Sequence, residues 1–456
     1  MDRATGLPTV AEVTLQPRIA TSATASGKPE PYWQQHANLP FSEASIGTKS
    51  LSLIQERHRH NLIVSPKLRN SLLAGVGYLE LANAGDFAAN VWNNYPVPVY
   101  ATVFMALGGT IALGMVYFAV QDARLSWDNI CGLRSERQYL HKLRSNITRG
   151  DQTARALDCV LDMNFRETGT EVVDRIGMDI CMGFGAFVVG VGTYMAIGGA
   201  NPTVFQVSNL LSGYVGNGPC ALYGLINLLW SVYVWRRECR HHMAGNKSLT
   251  SRPVSRVYKA RISSLKLHSA LNGLNGAIAG AASLVTATMW QGYLALAPCI
   301  IMSILINTFW RRSVGYTRPF IRRMVNFDED TVISELLYIE SCRQKAAKSP
   351  LEPQSGLLQD PRSVSYVIKY CSRHQLLEEL GHKILVEGNL ASELTEVFDN
   401  RMTITLEQLA AIDEGPLKER LLQTAYLCIA EETPKCFSNR ERHLAEVLGC
   451  YLASSV

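Results

Sequence analysis

The sequence predicts a mainly α protein: a polytopic transmembrane helix bundle of six spans, possibly five, with a C-terminal cytosolic helical domain. Three observations carry this. First, the stretch 268–310 contains no Asp, Glu, Lys or Arg. A soluble core helix keeps a charged face, and one crossing takes roughly 20 residues. The stretch therefore reads as two spans, 268–288 and 293–310, turned at residues 289–292. Second, apolar runs recur upstream at 97–120, 176–199 and 212–235. Third, residues 236–267 hold nine Lys/Arg against Glu238 alone, while linkers 200–204 and 289–292 hold none. Basic loops stay cytosolic, so the spans and loops agree with one another.

In chain order, residues 1–65 are rich in Ser, Thr, Pro and Ala and read as a disordered tail. Its basic run Arg57–His60 flanks the membrane and can touch anionic lipid headgroups. The first apolar run comes too late for a signal peptide. The endoplasmic reticulum or plasma membrane is favoured over the mitochondrion.

Segment 71–91 is the difficult one. It is long enough to span but carries Glu80 and Asp86. A carboxylate at the centre of a membrane helix costs about 2.5–3.5 kcal/mol. Counting it as a span nevertheless puts both termini in the cytosol, with the basic residues 57–69 inside and Glu80 facing the bundle interior.

Span 97–120 follows, with Trp92, Tyr95 and Tyr100 as interfacial aromatics. The cytosolic loop 121–175 has nine Lys/Arg and nine Asp/Glu and suits short helices. In 176–199, Ala186 and Gly190 permit a close helix contact; Gly276 and Gly280 do the same in 268–288. Span 212–235 is broken in its first half by Gly213, Gly216, Gly218 and Pro219.

Residues 321–456 carry amphipathic helical periodicity and predict a cytosolic helical domain. Residues 326–456 hold 21 Asp/Glu and 13 Lys/Arg, and the rest of the chain 18 and 31. An acidic tail beside a basic membrane part suggests docking of the two, or a protein partner for the tail.

No chemistry-bearing motif is present. There is no phosphate loop, no nucleophile elbow, no paired-aspartate diphosphate motif and no histidine cluster with metal spacing. Eleven cysteines are scattered without a CxxC pair, so reduced thiols are expected, with no metal and no cofactor. The sequons at Asn146 and Asn246 fall in cytosolic loops and are expected to carry no glycan.

The candidate binding residues are the intramembrane polar groups Glu80, Asn217, Asn272 and Asn275. For the asparagines, interhelical hydrogen bonds worth about 0.6 kcal/mol are the plainer explanation. Three function classes follow, besides contact with the lipid bilayer and without nucleic acid. A non-catalytic scaffold or accessory protein ranks first. A transporter or channel for a small lipophilic molecule is second. An intramembrane enzyme, or an accessory of a biosynthetic pathway acting on a lipophilic intermediate, is third.

Overall fold

The chain is seen in a computed structural model. It describes residues 50–56, 59–62, 66–92, 97–147, 152–199, 201–249, 251–321, 328–348, 358, 360–387, 390, 393, 403–412 and 414–454. Most of the expected tail 1–65 lies outside these residues.

The structure is mainly helical. Its helices are α1 (Phe87–Val91), α2 (Val99–Ser145), α3 (Gln152–Thr170), α4 (Met178–Ala196), α5 (Pro202–Asn209), α6 (Asn217–Ser248), α7 (Arg252–Thr286) and α8 (Gly292–Phe309). Then come α9 (Glu329–Lys348), α10 (Val364–Arg373), α11 (Leu377–Val386), α12 (Leu406–Ala410) and α13 (Pro416–Ser454).

Three helices are long and apolar enough to cross a membrane: α2, the continuous helix Thr153–Ala196, and Gly292–Val314. They associate the chain with a membrane. Helices α6 and α7 fall short of that measure because Asn227, Asn272, Asn275 and several glycines dilute their apolar stretches.

All of these helices are packed inside out. Phe104 and Leu107 on α2, Phe184 on α4, Leu229 on α6, Ile278 on α7 and Ile301 on α8 are exposed, Leu229 to 72%. The inward faces of α2, α4 and α7 carry mostly small residues, while α8 buries Tyr293, Leu296 and Ile306. A Cβ on Gly224 would lie 2.4 Å from the Gly276 carbonyl, so α6 and α7 meet backbone to backbone. Gly280 meets Ala221 of α6, and Gly190 of α4 packs on Leu113 and Gly109 of α2 beside the fully buried Ala186. Water rewards burial of Leu and Phe; lipid rewards close contact of small residues.

The stretches expected as loops are helical. With 47 residues, α2 is about 70 Å long at 1.5 Å per residue, more than twice a hydrocarbon core. Nothing in 121–145 breaks it: there is no proline, and Gly132 accommodates the Phe320 ring. α3, α6 and α7 extend beyond their apolar parts in the same way. A π-helical stretch, Glu171–Gly177, joins α3 to α4, and others lie at Leu210–Gly216 and Trp310–Val314.

The strands are short. β1 (Ser50–Glu56) and β2 (Arg59–Leu62) form an antiparallel hairpin, so this part of the expected disordered tail is ordered. β3 (Lys67–Arg69) pairs antiparallel with β4 (Thr317–Pro319), clamping the start of the bundle to its end. β5 (Thr403–Thr405) adds to the free side of β1.

The C-terminal helices join the rest of the chain. Leu444, Val447, Leu448 and Tyr451 of α13 share one apolar core with Val160 and Met163 of α3, Tyr258 and Ile262 of α7, and Leu336 of α9. A second core gathers α10, α11 and the first half of α13.

Candidate functional site

Residues 71–91 do not form the α-helical span that the sequence predicts. Residues Ala74–Ala84 make a 3-10 helix, followed by the single-turn α1. Runs longer than three or four residues are uncommon for this helix. Non-α backbone at membrane depth survives only where protein satisfies it.

Here that support is visible. Asn129 exchanges hydrogen bonds with the Arg69 backbone, its Oδ1 accepting at 3.1 Å and its Nδ2 donating at 2.9 Å. Arg175 donates to the Arg69 carbonyl at 3.1 Å, and Trp310 Nε1 to the Asn70 carbonyl at 2.7 Å. Asn307 Nδ2 donates to the Leu73 carbonyl at 3.1 Å, and the Leu73 N–H donates to Asp122 Oδ1 at 3.3 Å. At the far end Asn90 Nδ2 and Tyr293 OH donate to the two oxygens of Asp86, at 3.0 and 2.7 Å.

A 3-10 helix superposes residues three apart, and burial follows that period. Gly75, Tyr78, Leu81 and Ala84 are the less buried positions. Gly77, Glu80, Asn83 and Asp86 form a wholly buried polar stripe. Asp86 is 0% exposed and Glu80 9%. Glu80 accepts from Asn83 Nδ2 at 2.8 Å. No cation pairs with Glu80 or Asp86 among the described residues.

Gly77 and Glu80 face a cavity of about 60 Å³ inside the bundle. Glu80 lines it together with Asp174, Arg175, Asn227, His268, Asn272 and Asn275. One water takes about 10–15 Å³ by this measure, so the space holds roughly four. Asn272 and Asn227 bond to each other across α6 and α7, with Asn272 Nδ2 donating to Asn227 Oδ1 at 3.0 Å. Asn275 donates to Ser303 Oγ at 2.9 Å and to the Cys299 carbonyl at 3.2 Å.

Three of the four residues chosen from the sequence thus meet at one cavity, and Asn217 does not. It is fully buried at the start of α6, with no hydrogen-bond partner on its side-chain amide among the described residues. Asp174 and His268 are lining residues that sequence reasoning missed. Each lies at the edge of an expected span, where a polar residue has an interfacial explanation, whereas in the structure His268 sits within α7 and Asp174 within the π-helical stretch.

From the cavity wall outward, the helix extensions enclose a layer of buried ion pairs. Arg175 pairs with Asp122 at 2.8 Å and with Glu171 at 2.9 Å. Arg318 of β4 holds Glu136 at 2.7 Å and also pairs with Glu167. Glu446 of α13 receives both Arg166 and Arg261. Burial alone would raise the Glu167 carboxyl, but Arg318 outweighs it and holds the group at about 2. His443 is pushed down to about 3 by burial and then by Arg318.

A larger cavity of about 460 Å³ lies among α3, α6 and the end of α13. Asp162, His241 and Cys450 line it, with ligand atoms within 4.8 Å of one another. Their separation along the chain hides this grouping from any spacing motif. Comparison of the chain with protein-family models, curated proteins and solved structures finds no match.

Proposed function

We propose that this chain is a multi-pass membrane protein that passes a proton or a small inorganic cation through the 60 Å³ cavity. Glu80 is the group that exchanges it. The bilayer is crossed six times when the 3-10 segment is counted, with both ends in the cytosol.

One observation carries the reading. Glu80 is buried deep in the bundle on non-α backbone, and no cation pairs with it among the described residues. The guanidinium that lines the same cavity, Arg175, is held by Asp122 and Glu171. An uncompensated carboxylate at that depth is stable only with a proton or a cation on it, and a transported species can supply that charge. The polar lining and small volume suit a proton, a bare ion or a few waters, and narrow the solute away from a lipophilic molecule. The scaffold reading has less support, because the apolar face of α13 is covered within the chain.

The test is purified full-length protein in liposomes that trap a pH-sensitive dye. The expected result is dye acidification under an imposed proton gradient, or matching cation flux under a sodium or potassium gradient, well above that of protein-free liposomes. Glu80→Gln is expected to lower the rate at least tenfold while eluting as a single species from gel filtration. Rates equal to those of empty liposomes under all three gradients would sink the proposal.

A further inference from the structure

The cavity at the end of α13 lies outside the proposed pathway and has chemistry of its own. Asp162 comes from α3, His241 from α6 and Cys450 from α13, so the group exists only because α13 docks. Their ligand atoms all lie within 4.8 Å of one another, and Cys450 Sγ is 3.3 Å from Asp162 Oδ2. Zinc, bound at about 2.0–2.3 Å, gathers its ligand atoms at comparable separations.

We propose that Asp162, His241 and Cys450 bind a thiophilic divalent cation of the zinc class, leaving a fourth position open to the cavity. Two independent features support it. A carboxylate stands behind the imidazole: Glu238 Oε2 is 3.5 Å from His241 Nδ1, the second carboxylate that metal-ligating histidines characteristically keep. Binding displaces the Cys450 proton to solvent, and the thiolate joins Asp162 as the second anionic ligand. Finally, the cavity gives solvent access to the ligands, and Asp162 is 46% exposed on its side chain.

Arg237 acts as the internal stand-in. Its Nη2 reaches Asp162 Oδ2 at 2.7 Å and Cys450 Sγ at 2.9 Å, between two of the three ligands. Its Nη1 donates to Glu238 at 2.8 Å, a bond that persists when Nη2 gives way to the ion.

The probe is Co²⁺ added to full-length protein in detergent after treatment with a chelator. The expected result is one ion per chain, a thiolate-to-cobalt charge-transfer band, one proton released, and displacement by Zn²⁺. Cys450→Ser loses the band, Cys159→Ser keeps it, and Glu238→Gln weakens binding 10–100-fold. Asp162→Asn changes a half-exposed side chain and gives a second reading, with affinity down at least tenfold. A band that survives in Cys450→Ser, unchanged affinity in Asp162→Asn, or no cobalt bound by the wild-type protein overturns the site.

Discussion

His374 sits at the junction of α10 and α11, 0% exposed, with its ring 4.4 Å from Tyr370 and 5.1 Å from Phe437. Tyr338 OH lies 3.2 Å from its Nε2, and Arg440 and Arg373 are the nearby charges. Burial first, and then the two arginines, push its proton affinity well below the ordinary histidine range. The folded chain keeps the ring neutral, while the unfolded chain takes up a proton below about pH 6.5. The stability linked to this group is complete above that pH and is lost as pH falls. Wild type and His374→Leu should therefore converge by about 1.4 kcal/mol per pH unit between pH 6.5 and 5. Chemical unfolding of both proteins at several pH values measures this. A constant difference would mean that the ring is charged or hydrated in the fold. Glu167 and His443 titrate alike in the two proteins and so cancel in the difference.

At the scale of elements, the 3-10 segment depends on close backbone contact with α2. A Cβ on Gly108 would lie 2.1 Å from the Gly85 carbonyl oxygen, and backbone cannot swing aside as a long side chain can. Gly108→Ala should cost about 1–3 kcal/mol, the usual price of overpacking, and lower the melting midpoint in detergent. Gly114 lies on the same helix with nothing within 4 Å of its Cβ position. Gly114→Ala should leave the midpoint unchanged or raise it, by up to about 1 kcal/mol of helix propensity. Equal effects at the two positions would contradict the packing. The two sites also show how much was legible. Ala186, Gly190, Gly276 and Gly280 lie at helix contacts, and a short side chain is visible in the sequence. The 3-10 geometry was not read, although Glu80, Asn83 and Asp86 are spaced by three. Three-residue spacing also fits a broad α-helical face, and only the partners at 69–74 decide between the two. The extensions of α2, α6 and α7 were hidden because their polarity resembles that of loops.

At the scale of the whole molecule, the opposite charges of tail and membrane part are realised as buried contacts. Glu446 lies 280 residues from Arg166 and 185 from Arg261, so no local pattern could pair them. The overall charge asymmetry was legible, and its pairing was not. Because α13 packs on the extensions of α3, α6 and α7, these all lie on one side of any bilayer that the apolar parts cross. Removing one partner from a buried pair leaves an uncompensated charge, at a cost of about 3–5 kcal/mol. Glu446→Ala strands two guanidiniums at once. The end of α13 should then detach, and hydrogen exchange of residues 444–452 should rise by orders of magnitude while α2 and α4 stay protected. Glu431→Gln, which breaks the exposed pair with Lys383, should change nothing measurable, since a solvated pair loses little when broken. Unaltered protection of residues 444–452 in Glu446→Ala would show that apolar packing alone holds the helix. Their exposure would show that the ion pairs fix how α13 seats on the extensions of α3, α6 and α7.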